Sequence, residues 1–598
     1  MKLPALSGVA TSRDMVDAFG GYNHNLRIGN GEFYDTKNTT SSYYPLLSPR
    51  PKRGLYKEPT DTPITGIIEK DNLCYVKGNR FYFNDLEIQK LNLDVYDDKG
   101  EVIHRSLISM GAYVIIMPDK KYFNTADIDD CGDIEKKIEP VGKVKFDLCK
   151  MDGENYEVPT ESIANPTAPD SPVNEQLWID TSSVPHTLKQ YSTSQEQWVS
   201  IPTTYIKITF SGYNSERSIP FKEGDGVTIS GITAEGVTDL NNTMVVWASG
   251  DDYIVVTGIL SKVVDQTIEQ EGDFIVAKKM PDMDFVIESK NRLWGCKYGV
   301  VNGKAVNEIY ASKLGDFSNW NCFSGISTDS YVISLGSDGV FTGAITHMGY
   351  PLFFKENCVH KVYGDTLPFG VQETACRGVQ RGCHKSLSIV NEVLYYKSRS
   401  AICAYDGSLP VEISSALGDV SYYNASAGTL GNKYYISMAD NEDTYHMFVY
   451  DTKMGLWHRE DNTHASAFCT CRGNLYYIEN DGKYSIKSVI GSGDTLITDD
   501  INWMAETGII GVDMPDKKYI SRIDVRLSLE VGARVFFYIQ YDSMRTWEHL
   551  FTMTGTTLKS FPIPIKPKRC DHLRLRIEGI GEAKIFSICK TIEQGSDN

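Results

Sequence analysis

The residues whose types best suit chemistry are cysteines and a histidine in the second half of the chain. The candidate metal ligands are Cys376, Cys383, His384, Cys469 and Cys471. No two of these cysteines have the CxxC spacing of a structural zinc site. The segment Phe468-Cys-Thr-Cys471 instead alternates as a strand does, which places both thiols on one face. The sequence therefore predicts buried thiols here, no metal and no other cofactor.

Other signatures of catalysis are missing from the sequence. It has no GxxxxGK[ST] loop or strand-linked GxGxxG to hold a nucleotide, and no GxSxG turn to present a nucleophile. A glycosidase needs two carboxylates held at a defined separation across a pocket, and abundant Asp and Glu without known positions do not establish such a pair. We therefore expect no enzymatic activity and no catalytic residue, and a propeller glycosidase stays open as an alternative.

Two further motifs predict structure and not chemistry. The segment from Tyr450 to Trp457, followed by His458, resembles the Tyr-Asp…Trp signature of kelch-like blades. Asp542, Thr546 and Trp547 resemble the Asp-box hairpin of sialidase-like propellers, although Met544 stands where that motif has Gly. The residues assigned to blade or hairpin structure are Trp294, Trp320, Trp457, Asp542 and Trp547.

Composition predicts the elements that must position these residues. Charged residues make up 23% of the chain and hydrophobic residues 41%, which is typical of a folded protein. The 35 Tyr, 23 Phe and 50 Gly are the usage expected of short strands joined by tight turns. The sequence therefore predicts an all-β fold, divided into several units because 598 residues exceed one ordinary domain.

A degenerate repeat, in which a Gly or Asn turn precedes an aromatic strand, suggests how these strands are arranged. The turn positions are Asn72, Gly111, Asn291, Gly349, Asn391, Gly431 and Gly473. Most lie about 40 residues apart, the length of a four-stranded propeller blade. The repeat predicts a β-propeller of about seven blades.

The long gap between Gly111 and Asn291 predicts an insertion, which is rich in Pro, Thr and Ser around residues 163–172. Beyond the repeat, Arg522–Leu529, Val535–Gln540 and Leu573–Ile577 alternate apolar with polar residues, which predicts a C-terminal β-sandwich. The predicted units are an extended N-terminal arm at 1–60, the first blades at 61–124, an inserted β domain at 125–280, the remaining blades at 281–494 and the sandwich at 495–598.

The N-terminal arm holds the residues predicted to contact a partner. Closely spaced prolines impose an extended chain on this stretch. The predicted contact residues are Tyr43, Tyr44, Arg50, Lys52 and Arg53. An arm that packs on its own propeller and covers a sheet edge is the alternative.

Charge and hydropathy restrict the function classes. The formal net charge of -18 argues against a protein that grips nucleic acid by neutralising phosphates. The first residues lack the apolar run of a signal peptide, and no segment has the length needed to cross a bilayer, so we expect no membrane insertion.

Several stretches resemble the propeller-containing neck and tail proteins of tailed bacteriophages, of the nozzle or tail-hub type. They are Gly29–Asn38, Tyr44-Pro-Leu, Arg50–Gly54, Arg292–Gly295 and Glu308–Trp320. Lys566–Gly579 is similar to the ends of phage virion proteins from Gram-positive hosts. The resemblance extends over about half of the chain as scattered patches, and the match around Arg292 and Trp320 is the more specific one.

The resemblance implies a virion structural protein of the neck or tail, assembled in the cytoplasm of a bacterial host. Its expected state is a homo-oligomeric ring, a hexamer, that binds portal, adaptor or other tail proteins. DNA would pass through the lumen without sequence-specific binding, and the ring would form and close part of that channel. A baseplate or receptor-binding protein that contacts cell-wall glycan is the first alternative.

Overall fold

The computed structural model describes residues 11–139, 142–156, 164–258, 267–272, 274–492, 495–497, 501–513 and 517–594. The regular secondary structure of this part consists of strands and three short 3₁₀ helices, at Thr238–Leu240, His384–Ser386 and Ser415–Leu417. The prediction of an all-β chain is confirmed. Parts of the predicted inserted domain, at 140–141, 157–163, 259–266 and 273, lie outside the described residues.

Seven antiparallel sheets follow the sequence repeat, and we call them repeat sheets 1 to 7. Sheet 1 contains Ile64–Lys70, Asn72–Lys77, Arg80–Phe83 and Leu86–Asn92, and sheet 2 contains Ser106–Met110, Tyr113–Met117, Lys121–Asn124 and Cys131–Asp133. Sheet 3 contains Phe285–Ser289, Arg292–Val301, Lys304–Ala311 and Tyr331–Ser334, and sheet 4 contains Gly343–His347, Tyr350–Lys355, Cys358–Tyr363 and Gly370–Ala375. Sheet 5 contains Ser388–Val390, Val393–Lys397, Ile402–Tyr405 and Val411–Glu412, and sheet 6 contains Tyr423–Leu430, Lys433–Ala439, Tyr445–Asp451 and Leu456–Arg459. Sheet 7 contains Ala465–Cys471, Asn474–Asn480, Tyr484–Ser488, Gly54–Thr60 and Leu496–Ile497.

Six of the seven turn positions lie between the first two strands of a repeat sheet, and Asn72 is the first residue of the second strand of sheet 1. The turn in sheet 5 shows why the residue types matter, because Asn391 and Glu392 have φ of 47° and 69°. Two consecutive positive φ values match the twist of a tight hairpin, and Asn tolerates that conformation better than most residues. The local repeat therefore located the first hairpin of every repeat sheet.

The first strands of the repeat sheets, together with the helix His384–Ser386 that leads into sheet 5, form a closed series of contacts. The first strand of sheet 1 contacts those of sheets 2 and 7, and contacts continue from sheet 2 through sheet 3 to sheet 4. From sheet 4 the series passes to the helix His384–Ser386, then to the first strand of sheet 6 and on to sheet 7. The described strands thus surround a common centre, as in propeller-like folds.

Three more sheets lie between repeat sheets 2 and 3, and we call them the inserted unit. The first contains Lys136–Ile138, Gly226–Ser230, Thr243–Val245 and Ile275–Lys278. The second contains Lys143–Cys149, Thr204–Phe210, Ala248–Ser249, Tyr253–Gly258 and Ile268–Glu271, and the third contains Ala164–Asn165, Leu177–Asp180, Thr187–Ser192 and Gln197–Ser200. Apolar side chains between Ile138 and Val276 form a core of their own. Cys131–Asp133 belongs to repeat sheet 2, so this unit starts later than the predicted residue 125.

Buried polar contacts hold the inserted unit against repeat sheet 3. The buried Lys278 ammonium pairs with Asp225 at 2.6 Å within the inserted unit, and it lies 3.8 Å from the carboxylate of Asp316 in the connection after Lys304–Ala311 of sheet 3. The side-chain oxygen of Asn319 accepts a hydrogen bond of 3.0 Å from the amide of Gly226. A Cβ at Gly226 would lie 2.2 Å from the backbone of Asn321, so only glycine fits at this contact. The inserted unit is therefore closely packed against the repeat.

A seven-stranded sheet, here the terminal sheet, unites both ends of the described chain. Its strands are Thr11–Val16, Phe33–Lys37, Asn502–Thr507, Lys518–Tyr541, Glu548–Ile563, Leu573–Ile580 and Ala583–Gln594. The first half of Lys518–Tyr541 pairs with Ala583–Gln594 and its last part with Leu573–Ile580. Alternate residues along it are buried in one apolar cluster, as the period-2 pattern predicts.

The segment before residue 61 is paired with distant parts of the chain. Thr11–Val16 pairs with Ala583–Gln594, and Phe33–Lys37 pairs with Asn502–Thr507. Gly54–Thr60 adds a strand to repeat sheet 7 beside Tyr484–Ser488, and Thr39–Thr40 pairs with Ser48–Pro49. This arrangement corresponds to the alternative in which the N-terminal segment packs on its own propeller and covers a sheet edge.

Candidate functional site at the centre of the repeat sheets

Side chains of the first strands are bonded to the backbone of the neighbouring first strand. The hydroxyl of Thr470 donates a 2.8 Å hydrogen bond to the carbonyl of Thr429, and the hydroxyl of Ser426 donates to the carbonyl of Ala465. The ammonium of Lys70 donates to the hydroxyl of Ser109 at 3.0 Å. These bonds join sheets 6 to 7 and 1 to 2, so they fix the spacing of strands around the centre.

Four basic side chains, which we call the axial cluster, lie where several first strands begin. They are His104, His384, Lys385 and His464. The Lys385 ammonium donates a 3.1 Å hydrogen bond to the carbonyl of Ser466 in sheet 7, although Lys385 leads into sheet 5. His384 packs against Phe285 of sheet 3 with ring centroids 5.3 Å apart, and His464 stacks on Tyr445 at 3.6 Å. The residues of the axial cluster therefore come from segments next to several different sheets around the centre.

Burial and mutual repulsion keep the axial cluster weakly charged. Burial lowers the pKa of Lys385 to about 8. Burial, with the positive charge of Lys385 and the proximity of His104, lowers the pKa of His384 to about 4. The pKa values of His104 and His464 are also lowered by desolvation and by Lys385. At neutral pH the cluster thus offers neutral imidazoles beside one ammonium, a set of groups that can bind an anion or exchange protons.

The carboxylates on the first strands are Glu69 and Glu288, and all seven of these strands lie in the described ranges. Each stands next to last in its strand, away from the end at which the axial cluster lies. The Glu288 carboxylate accepts a 2.9 Å hydrogen bond from the amide of Asn291, whereas Glu69 is exposed. Glycoside hydrolysis would use two carboxyl groups about 5–9.5 Å apart. Glu69 and Glu288 instead lie on the first strands of sheets 1 and 3, and repeat sheet 2 lies between these two sheets.

We expect Lys385→Met to remove a pH dependence of stability. Because the pKa of Lys385 is about 8 in the fold and 10.5 in its unperturbed state, the unfolded chain holds more protons between those values. The free energy of unfolding of the unchanged protein should therefore rise by about 2 kcal/mol from pH 8 to pH 10.5, and that of the variant should lack this rise. Urea unfolding across this range measures it.

Lys483→Met is the matched control, because Lys483 is exposed in repeat sheet 7 and pairs with Asp61 at 3.9 Å. The free energy of unfolding of Lys483→Met should rise from pH 8 to pH 10.5 as it does in the unchanged protein. An equal rise in all three proteins would contradict the assigned burial of the Lys385 ammonium.

Three of the four tryptophans predicted to be structural are buried and hydrogen-bonded. The indole N–H of Trp294 donates to the carbonyl of Ser289 at 3.2 Å, and its ring meets Phe369 edge-on at 4.9 Å. The indole N–H groups of Trp320 and Trp457 donate at 2.8 Å to the carbonyls of Phe317 and Ile413. Each ring therefore packs in a core while its polar atom is satisfied.

Asp542 and Trp547 lie in the connection between Lys518–Tyr541 and Glu548–Ile563 of the terminal sheet. The Asp542 carboxylate accepts hydrogen bonds from the amides of Asp571 and His572 at 2.7 and 3.3 Å. The guanidinium of Arg576 lies 4.1 Å from the centroid of the Trp547 ring. These contacts tie the hairpin connection to the neighbouring strand.

The predicted partner-contact residues divide into two groups. Tyr43 and Tyr44 are 50% and 43% exposed, and the Lys584 ammonium lies 4.2 Å from the centroid of the Tyr43 ring. Arg50 and Arg53 instead pair with Glu460 and Asp461 of the same chain. Lys52 is half-buried beside them, and its carbonyl accepts from the amide of Gly491. A partner contact stays a prediction, with the two tyrosines as the groups that the fold presents to solvent.

The cysteines considered as metal ligands are distributed among the cores. Cys383 is buried in a core shared by sheets 4 to 6, while His384 belongs to the axial cluster. Cys469 and Cys471 lie in the same apolar cluster between sheets 7 and 1, as the strand alternation predicts. A different group, Cys358, His360 and Glu373, is brought together in repeat sheet 4. Sequence reasoning missed it, although the Cys-x-His spacing in a strand was visible.

Comparisons with known proteins identify no family. No protein-family model matches the chain, and no curated protein matches it. Within the described residues, no helix has the length and apolar character needed to span a membrane.

The solved structures to which this chain is similar include carbohydrate-active enzymes, and the similarity is very low in both sequence and fold. An exo-β-1,3-galactanase from Phanerochaete chrysosporium, solved with galactose, has 8% identity and a TM-score of 0.22, covering 51% of this chain and 94% of its own. A glycoside hydrolase engineered to display endo-xylanase and exo-arabinofuranosidase activity has 8% identity and a TM-score of 0.20, with coverages of 52% and 96%. A Trypanosoma rangeli sialidase has 9% identity and a TM-score of 0.17, with coverages of 84% and 94%.

These comparisons correct one prediction. The statement that the chain is not an enzyme is withdrawn, because the solved structures it matches are glycoside hydrolases and a sialidase. Their TM-scores are too low to assign their chemistry to this chain.

Proposed function

We propose that this chain is a structural protein of a tailed-bacteriophage virion, a subunit of the nozzle or tail-hub ring that forms and closes part of the DNA channel. The observation that carries the proposal is the closed series of repeat sheets completed by the N-terminal strand Gly54–Thr60. Such an arrangement is rigid and leaves few strand edges open, as a component under the pressure of packaged DNA requires.

We take the seven repeat sheets as the blades of a seven-bladed propeller. Each carries one copy of the sequence repeat, and the first strands contact one another around one centre. We take the terminal sheet as a β-sandwich formed by folding one sheet on itself, because the two halves of Lys518–Tyr541 pair with different strands around one apolar cluster.

The segment with the more specific resemblance to phage proteins forms the framework of repeat sheet 3. The buried Arg292 guanidinium donates to the carbonyls of Ser312, Asp329 and Ser327 at 2.6–2.9 Å. These bonds hold the long connection after Lys304–Ala311 against the sheet, and the buried ring of Trp320 lies in that connection. The resembling residues are thus those that determine the local fold, which supports a shared architecture with the nozzle and tail-hub proteins.

The proposal predicts a ring-shaped oligomer. We expect native mass spectrometry of the full chain to show a hexamer, alone or after mixing with a portal or adaptor protein. Tyr43→Ala with Tyr44→Ala should weaken assembly, since both rings are exposed. Met544→Ala is the control, because this side chain is also exposed but lies in the terminal-sheet hairpin.

Monomers under every condition, with virion proteins present, would count against a ring subunit. A monomer that binds cell-wall glycan would support the baseplate or receptor-binding alternative. Hydrolysis of such a glycan that is lost in Glu69→Gln or Glu288→Gln would support the propeller glycosidase. The oligomer count thus tests the proposal directly, and the other two readouts identify what would replace it.

A further inference from the structure

Three side chains with metal-binding atoms share one face of repeat sheet 4. Cys358 and His360 are two residues apart on Cys358–Tyr363, so strand alternation directs both to the same side. The register pairs His360 with Glu373 on the neighbouring strand Gly370–Ala375. Residues opposite each other in a sheet lie on the same face, so the sheet itself assembles a Cys, a His and a Glu.

The distances between the ligand atoms suit a small cation. The cysteine sulfur, an imidazole nitrogen and a carboxylate oxygen all lie within 4.8 Å of one another. The Nε2 of His360 and the Oε2 of Glu373 are 3.4 Å apart. Tetrahedral zinc with bonds of about 2.0–2.3 Å places its ligand atoms roughly 3.4–3.8 Å apart. The His and Glu atoms already have that separation, and the sulfur lies within 4.8 Å of an imidazole nitrogen and a carboxylate oxygen.

The surroundings of His360 orient its ring as in metal sites. The side chain is fully buried, and its Nδ1 lies 3.4 Å from the carbonyl of Phe353, to which Nδ1–H donates. That bond leaves the lone pair on Nε2, where the hydroxyl of Ser337 donates at 2.8 Å. A ligating histidine characteristically gives its other N–H to a carbonyl or carboxylate.

The charges of the group balance those of a divalent cation. The Glu373 carboxylate is half exposed and provides an entry path from solvent. A cation bound by the Cys358 sulfur would displace the thiol proton to solvent, and one thiolate with one carboxylate would then neutralise two positive charges. The neighbouring Lys355 ammonium is already held by the side chain of Asn307 and the carbonyl of Ser337, at 3.1 and 2.9 Å.

We propose that Cys358, His360 and Glu373 bind a Zn²⁺ ion. Sulfur, imidazole and carboxylate together are a ligand set that zinc accepts, whereas Ca²⁺ and Mg²⁺ prefer oxygen alone. The Ser337 hydroxyl now donates to Nε2 of His360 and would give up this bond when the ion binds there. The ion would fasten the two outer strands of sheet 4 to each other. This inference is independent of the proposed phage role.

The test uses the full chain, stripped of metal with a chelator and then titrated with zinc chloride. We expect one tightly bound zinc per chain and a higher melting temperature with zinc than without, because a ligand that binds only the folded state stabilises it. Cobalt chloride should give a thiolate-to-cobalt charge-transfer band in the near ultraviolet. Glu373→Gln and Cys358→Ser should each weaken zinc binding by at least about tenfold, and Cys358→Ser should abolish the cobalt band.

Two matched variants control for unspecific effects. Cys376→Ser changes a partly buried cysteine that packs against the core on the other side of the sheet, and Glu442→Gln changes an exposed carboxylate in repeat sheet 6. Both should bind zinc like the unchanged protein. Glu373 is half exposed, so its variant should fold even if others do not. Absence of bound zinc, or equal affinity in Glu373→Gln and Glu442→Gln, would overturn the proposal.

Discussion

Arg53→Ala should lower the free energy of unfolding by about 3–5 kcal/mol, because it removes one member of a buried ion-pair network. The Arg53 guanidinium lies 2.7 Å from the Glu460 carboxylate and 2.9 Å from that of Asp461. It also donates to the hydroxyl of Thr463 at 2.6 Å. Without it, the Glu460 and Asp461 carboxylates would lose their closest cationic partner, and of the two arginines Arg50 alone would remain beside them. Urea unfolding measures the loss.

Loss of this ion-pair network should also destabilise the strand that follows it. Arg53 directly precedes Gly54–Thr60, the N-terminal strand of repeat sheet 7, so hydrogen exchange of that strand should also accelerate in the variant. Arg399→Ala is the control, since Arg399 is exposed, and it should change stability by less than about 0.5 kcal/mol. Equal losses in the two variants would show that the network does not stabilise the fold.

The same network predicts how stability falls in acid. Burial opposes ionisation of Asp461, but the charges of Arg53 and Arg50 outweigh it and lower the pKa from 3.8 to about 2. The stabilisation is therefore complete above pH 3.8 and is lost as the pH falls towards 2, because the unfolded chain takes up the proton first. Arg53→Ala should flatten this part of the pH profile.

Arg105→Ala should cause a second large loss, also about 3–5 kcal/mol, for a related reason. The Arg105 side chain is fully buried, and its Nε and one terminal nitrogen each lie 2.8 Å from an oxygen of Asp119. A further nitrogen donates to the hydroxyl of Thr65 at 3.2 Å. Asp119 follows a strand of repeat sheet 2, while Thr65 lies in the first strand of sheet 1, so Arg105 joins the two sheets. Arg105→Lys should recover little of the loss, because lysine cannot form the two-point contact.

Arg80→Ala provides the comparison for Arg105. Arg80 lies in repeat sheet 1, one-third exposed, with Glu87 at 3.4 Å. Exposed ion pairs contribute at most about 1 kcal/mol. Thermal unfolding of the two variants side by side should therefore show a much larger shift for Arg105→Ala, and similar shifts would refute the role given to it.

The hairpin turns and the alternation within strands could be predicted from the sequence. The positions Asn391, Gly431 and Gly473 could be identified as hairpin turns because turn chemistry depends on one or two residues and the strands that follow them are aromatic. The alternation in Leu573–Ile577 likewise predicted a strand with one buried face, as observed. Each of these signals spans only a few neighbouring residues, so it can be recognised in a single sequence.

Pairing between distant segments could not be predicted in the same way. Gly54–Thr60 pairs with Tyr484–Ser488, and nothing in either segment specifies the other or their register. Arg53, with its neighbouring prolines, therefore looked like part of an exposed arm. Glu373 joins Cys358 and His360 only through strand register, and His104 meets Lys385 only through the closure of the sheets. The candidate sites depend on these long-range relations, which a local pattern does not contain.

The pairing of Gly54–Thr60 with Tyr484–Ser488 also constrains how the protein is made. During translation Gly54–Thr60 stays unpaired while more than four hundred residues are added, because Tyr484–Ser488 has not yet left the ribosome. Pairings of such long sequence separation form slowly and leave strand edges exposed to aggregation in the meantime. A ribosome that stops before residue 484 therefore releases a product whose last repeat sheet cannot be completed, whatever the quality of the sheets already synthesised.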